Sequence, residues 1–171
     1  MQLSDFDYCL PQELIAQEAC LERDRSRLLH LDRKTGQSTH HIVADLPALL
    51  SPGDLLVVND TRVYPSRLIG YLIPSGGSVE CLLLSRIDQN RWEAIVRPGQ
   101  KLNVGTRVVF ENTSHRLDLE VLERHDRGRR IVRLMAESNT DIQTVIDVIG
   151  HMPLPPYIKR ADNLADRERY Q

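Results

Sequence analysis

The spacing of apolar positions changes twice along the chain. Between Arg67 and Glu137, apolar and polar residues alternate in short β-branched runs. Gly, Pro, Asn and Asp break these runs at intervals of roughly eight to twelve residues, the pattern of a small sandwich or barrel. About six strands are predicted: Arg67 to Pro74, Ser78 to Arg86, Arg91 to Val96, Thr106 to Phe110, Arg116 to Arg124 and Arg129 to Met135. After Glu137 the period becomes helical. Ile142, Val145, Ile146 and Ile149 fall on one face, with a cap region at Asn139-Thr140-Asp141 and a stop at Gly150. Pro153-Leu-Pro-Pro156 then enforces an extended segment, and Asp166 is expected to cap a last helix of about one turn, which needs packing to persist.

Upstream of Arg67 the pattern is mixed. Leu10, Leu14 and Leu21 with Pro11 predict a short helix, and Arg27 to Asp32, a Lys34-Thr35-Gly36 turn and Gln37 to Val43 predict a hairpin. Asp45 is expected to cap a turn of helix through Leu50. Asp54-Leu-Leu-Val-Val-Asn59 has the continuous apolar character of a buried strand. Two α/β stretches flanking an all-β stretch are most economically a discontinuous domain with an insertion: residues 1–66 and 138–171 form one α/β domain, and 67–137 form the inserted β unit.

Composition narrows the function classes. The 171 residues are 41% hydrophobic and 27% charged, with 22 Lys+Arg against 24 Asp+Glu, a formal charge of -2. That is a globular chain long enough for its own core, not a disordered or strongly basic one. No apolar run approaches the roughly 18 residues of a membrane span, and the N-terminus lacks a signal-peptide pattern, so a cytoplasmic setting with no membrane partner is expected. Cys9, Cys20 and Cys81 form no Cys-x-x-Cys pair and are expected to be small core residues. Charge is unevenly placed: Arg67 to Glu137 carries twelve basic and nine acidic residues, with Arg124-His-Asp-Arg-Gly-Arg-Arg130 concentrated at one predicted hairpin tip. Such a tip fits either RNA phosphate or simple solubility.

Dinucleotide, P-loop, nucleophile-elbow and His-Glu-x-x-His patterns are absent, and His40-His41 point to opposite sides of a strand, so no metal is assigned. Two polar clusters remain. Asn59-Asp60-Thr61-Arg62 follows the predicted Asp54–Asn59 strand, where α/β folds place their sites. Asp60 offers an acid or base, Arg62 a fork for an anion, and Asn59 and Thr61 hydrogen bonds, although the same residues also serve as turn chemistry. Arg67 lies near Arg62 in sequence and can help frame one anion. Tyr157 and Arg160, carried by the proline segment, suit stacking on a base and contact with phosphate, or a plain connector.

A resemblance joins these clusters. Asp5-Phe-Asp-Tyr8, Arg23-Asp-Arg-Ser-Arg-Leu28, Pro52-Gly-Asp-Leu-Leu-Val-Val-Asn-Asp-Thr-Arg-Val63, Pro65-Ser-Arg-Leu68, Gly77-Ser-Val-Glu80, Pro153-Leu-Pro-Pro-Tyr-Ile158 and Asp166-Arg-Glu-Arg-Tyr-Gln171 occur in one order from end to end. In this the chain closely resembles the S-adenosylmethionine:tRNA ribosyltransferase-isomerase family of queuosine biosynthesis. The resemblance implies a partial discontinuous α/β barrel with a small antiparallel β-barrel inserted. It also implies a monomeric, metal-free enzyme whose substrates are S-adenosylmethionine, as ribosyl donor, and tRNA carrying 7-aminomethyl-7-deazaguanine at the wobble position. The products would be epoxyqueuosine-tRNA, adenine and methionine. Asp60, Arg62 and Asn59 are the expected catalytic residues, with Thr61, Arg67, Tyr157 and Arg160 binding substrate. Family members run substantially further, so this chain resembles an N-terminal portion, expected to be weakly active or inactive alone. An RNA-binding β-barrel module and an inert fragment are the competing expectations.

Overall fold

The computed structural model describes residues 2–137 and 140–171, which divide into two compact units. One unit comprises the chain up to Asp60 together with Pro156–Arg160; the other comprises Thr61–Pro155 and Ala161–Gln171.

The second unit is built on a closed barrel. Its strands are β3 (Arg67–Ile73), β4 (Ser78–Arg86), β5 (Arg91–Arg97), β6 (Arg107–Glu111), β7 (Arg116–Arg124) and β8 (Arg129–Ala136), in the order β3-β4-β5-β8-β7-β6 with every pair antiparallel. All six sequence-predicted strands are present, displaced by at most two residues. Alternation puts Val79, Cys81 and Leu83 of β4, Trp92, Ala94 and Val96 of β5, and Leu117, Leu119 and Val121 of β7 inside, while their neighbours face outward. Closure removes the exposed edges an open sheet of this size would carry. The seam between β3 and β6 depends on Gly70, where an added Cβ would overlap the Val109 carbonyl and the Phe110 ring.

One end of the barrel is covered by a helix, α2 (Ile142–Ile149), whose Val145 and Ile146 are buried in the barrel core. The helix starts because the Asp141 carboxylate accepts the Thr144 N–H at 3.1 Å, as the sequence predicts; Asn139 lies outside the described residues. A one-turn helix, α3 (Asp166–Arg169), closes the chain. Asp166 is its first residue and not its cap: the buried carboxylate instead accepts the Asn163 N–H at 2.8 Å.

The first unit contains the predicted hairpin, β1 (Arg27–Leu31) paired with β2 (Ser38–Ile42), and the short helix α1 (Leu46–Leu49). None of its described residues is buried. Three expectations differ here for that reason. The helix expected after Leu10 shortens to a 3-10 turn at Gln12–Leu14, because a short helix without an apolar surface to pack on does not propagate. Asp54–Asn59 is irregular and exposed, with Leu55 at 87% and Val57 at 82%; a strand needs a neighbouring strand, and no ladder among the described residues includes this segment. Cys9 and Cys20 are exposed, and only Cys81 is a core residue. Among the described residues the β-barrel is closed and no α/β barrel is formed.

Candidate functional site

The residues predicted to act together fall in both units. Asn59, Asp60, Tyr157 and Arg160 belong to the first, and Thr61, Arg62 and Arg67 to the second.

In the second unit the chain enters the barrel through an irregular segment, Thr61–Ser66, held at Val63 by a side chain 108 residues away. The Gln171 amide accepts the Val63 N–H through Oε1 at 3.0 Å and donates to the Val63 carbonyl through Nε2 at 2.9 Å, imitating one rung of a β ladder. Arg167, one turn earlier, donates to the Asp147 carbonyl at 2.7 Å and the Gly150 carbonyl at 3.2 Å, placing a cation on the carbonyl end of α2. Between these elements lies a cleft of about 900 Å³, within the range of small-molecule sites. Arg62, Tyr64, Asp147, Met152, Arg167 and Glu168 are among its lining, so it offers cations, carboxylates and an apolar wall. Tyr64 packs against Trp92 with ring centroids 6.4 Å apart, and partial burial raises its phenol above the ordinary tyrosine range.

Arg67 is committed elsewhere. Its guanidinium forks onto Glu80 at 3.0 and 3.1 Å, and this pairing holds the Glu80 carboxyl below the usual carboxylate range. Its backbone pairs with His151, whose Nδ1 is 2.7 Å from Asp162 Oδ1. The second oxygen of Asp162 accepts the Met152 N–H at 2.8 Å. An imidazole oriented by a carboxylate is a competent proton-transfer pair. The sequence reading missed it, because its members lie eleven positions apart with a proline run between them and only the fold brings them together.

In the first unit, residues 157–160 are clipped to Gln17 and Glu18. The Gln17 amide donates to the Tyr157 carbonyl at 3.1 Å and accepts the Lys159 N–H at 2.6 Å, while Arg160 donates to the Gln17 carbonyl at 3.1 Å and pairs with Glu18 at 2.9 Å. The Tyr157 side chain remains exposed, available for stacking, whereas Arg160 serves the local structure. Asn59 and Asp60 are exposed, as are Thr61 and Arg62. Among the described residues, no group of three or more His, Cys, Asp or Glu could hold a metal ion, and no helix is long and apolar enough to cross a membrane.

A closed six-stranded antiparallel barrel, with a ligand-sized cleft lined by Arg62, Tyr64 and Arg167 within the same unit, describes the class of protein. The pattern of the queuosine biosynthesis protein family matches residues 3–171, and the chain belongs to that family. It is 44% identical over 191 residues to the S-adenosylmethionine:tRNA ribosyltransferase-isomerase of Solibacter usitatus (strain Ellin6076), covering 100% of this chain and 52% of the relative. It is 46% identical over 171 residues to the protein of that name from Clostridium kluyveri, covering 100% of this chain and 48% of the relative. A crystal structure of S-adenosylmethionine tRNA ribosyltransferase from Thermotoga maritima is 39% identical, covers 86% of this chain and 48% of that one, and superposes with a TM-score of 0.41. The chain thus spans about half the length of the relatives it matches.

Proposed function

We propose that this chain supplies the N-terminal portion of an enzyme that transfers and isomerises the ribosyl unit of S-adenosylmethionine onto 7-aminomethyl-7-deazaguanine at the tRNA wobble position. The products are epoxyqueuosine-tRNA, adenine and methionine. The family match across residues 3–171, with Asn59-Asp60-Thr61-Arg62 inside it, carries this reading.

The chemistry asks for few groups. A sulfonium acidifies the carbon beside it, so a placed carboxylate can remove a proton there, adenine can depart, and the tRNA amine can attack the activated sugar. Asp60 takes the role of base. Asn59 and Thr61 hydrogen-bond the nucleoside, and Arg62 faces the cleft as the partner for an anionic group. Tyr157 stacks on a base and Arg160 stands beside it, while Arg67 supports the site through its pair with Glu80. No metal enters this scheme, and the setting is a cytoplasmic monomer. In the complete enzyme, residues 1–66 and 138–171 belong to an α/β barrel into which 67–137 is inserted. Alone, the chain is weakly active or inactive. Asp60→Asn in a complete family member tests the assignment: adenine release should fall by about 10²-fold or more, as expected for loss of a general base. Unchanged turnover would remove Asp60 from the mechanism.

A second reading is favoured by the first unit, in which none of the described residues is buried. Here the barrel binds RNA and the chain does no chemistry. Salt-sensitive RNA binding without S-adenosylmethionine binding would select it.

A further inference from the structure

A second cleft, of about 510 Å³, opens between the end of β5, the loop that follows it and the β7–β8 turn. Its lining includes four arginines, Arg97, Arg124, Arg127 and Arg130, against a single carboxylate, Asp126.

Arg130 is 1% exposed, yet the acceptors of its guanidinium are all backbone carbonyls: Leu102 at 2.9 Å, His125 at 3.1 Å, Arg129 at 2.7 Å and Gly99 at 2.5 Å. Among the described residues no carboxylate pairs with this buried charge, so its field reaches into the cleft it lines. The same bonds fix the two loops that form the cleft walls. Elsewhere on the barrel, arginines are spent on carboxylates, as in Arg67–Glu80, Arg91–Asp88, Arg116–Asp118, Arg129–Glu93 and Arg133–Glu120. Arg97 and Arg127 enter no ion pair among the described residues, and Arg124 reaches only the Asn103 amide, at 2.6 Å.

The turn itself breaks a local rule. Arg127 (φ 54°) and Gly128 (φ 82°) occupy the two central positions, with the Arg129 N–H returning to the Asp126 carbonyl. Two consecutive left-handed residues make the hairpin turn that prefers Asn-Gly, and a non-glycine residue without a local hydrogen bond costs about 1–2 kcal/mol there. An arginine held at such a cost, over a cationic cleft, points to a ligand that uses it.

We propose that this cleft binds a backbone phosphate of RNA. Guanidinium groups with free forks match phosphate oxygens, and the choice of RNA as the phosphate source rests on the functional reading above.

The test uses the 171-residue chain, a labelled RNA stem-loop, and Kd measured across a series of KCl concentrations. Arg127→Asn should weaken binding several-fold and lower the slope of log Kd against log salt by about 1, the loss of one phosphate contact. Its melting temperature should be equal or higher, because Asn-Gly suits the turn. Arg97→Gln should act in the same direction on binding. Wild-type slopes in both variants would place the RNA contact elsewhere and overturn the inference. Inorganic phosphate that shifts the Gly99 and Gly128 amide resonances without competition from RNA would overturn RNA as the source. S-adenosylmethionine binding, measured in parallel, separates the two claims. A wild-type chain that binds it but no RNA refutes the cleft and leaves the functional reading standing. RNA binding sensitive to Arg127→Asn, without S-adenosylmethionine binding, supports the cleft and counts against that reading.

Discussion

Replacing Arg130 with Met keeps an apolar stem of similar reach and deletes the donors that hold four backbone carbonyls at one end of the barrel. A hydrogen bond from a charged donor contributes about 1.5–3 kcal/mol, but the four do not simply add. Gly99 and His125 line the second cleft, so their carbonyls can regain water when the guanidinium is gone, and the Arg129 carbonyl keeps the His125 N–H at 2.9 Å. Leu102 is fully buried, so its orphaned carbonyl carries the full desolvation penalty of about 1–3 kcal/mol. Relief of the buried charge offsets part of the loss, leaving a net destabilisation of about 2–4 kcal/mol. For a domain of this size that lowers the melting temperature by on the order of 10–20 °C, read by far-UV circular dichroism. Arg130→Lys should recover little, since an ammonium offers its donors from one point and cannot span four diverging carbonyls. A melt of Arg130→Met within about 2 °C of wild type would refute the claim that this residue ties the loops together.

The thiols give a second check: a colorimetric thiol reagent should label Cys9 and Cys20 rapidly in the native chain and Cys81 only on unfolding, and three fast thiols would contradict the burial. Burial pushes the Cys81 thiol up to about 12, so the folded state keeps a proton that the unfolded chain releases near its ordinary value of about 9. Stability from this group is therefore complete below about pH 9 and declines by at most ~1.4 kcal/mol per pH unit towards pH 12. Cys81→Ala should flatten that limb of a urea-midpoint profile, and a profile identical to wild type would count against it. Gly70→Ala should cost about 3 kcal/mol or more by forcing β3 away from β6, and an unchanged urea midpoint would show that the seam tolerates a side chain.

The barrel was legible because each strand satisfies its own pattern: alternation with period two, bounded by turn residues, puts one face of every strand inside once the sheet closes. The helix at Ile142–Ile149 was legible for the same reason, with its cap at Asp141. The expected strand Asp54–Asn59 is irregular here because a continuous apolar run records a preference for burial, while a strand also requires a neighbouring strand, and no ladder among the described residues includes this segment. The motif at Asn59–Arg62 was visible as composition, but the Gln171 clasp on Val63 and the His151–Asp162 pair are long-range consequences of the fold. The hairpin tip Arg124–Arg130 was read as one basic cluster. The structure separates it into a buried tie at Arg130, an ion pair at Arg129 and an uncommitted cation at Arg127.

Whether residues 1–171 hold a complete site is read most directly from adenine release. The substrates are S-adenosylmethionine and tRNA bearing 7-aminomethyl-7-deazaguanine, and this chain is compared with the full-length Clostridium kluyveri relative. Asn59 and Asp60 sit exposed in a unit whose described residues include no buried one, so the expected result is a cooperatively melting chain that releases little or no adenine while the relative turns over. Release by the chain at the relative's rate, dependent on the modified tRNA, would place every essential group within these 171 positions and contradict the prediction.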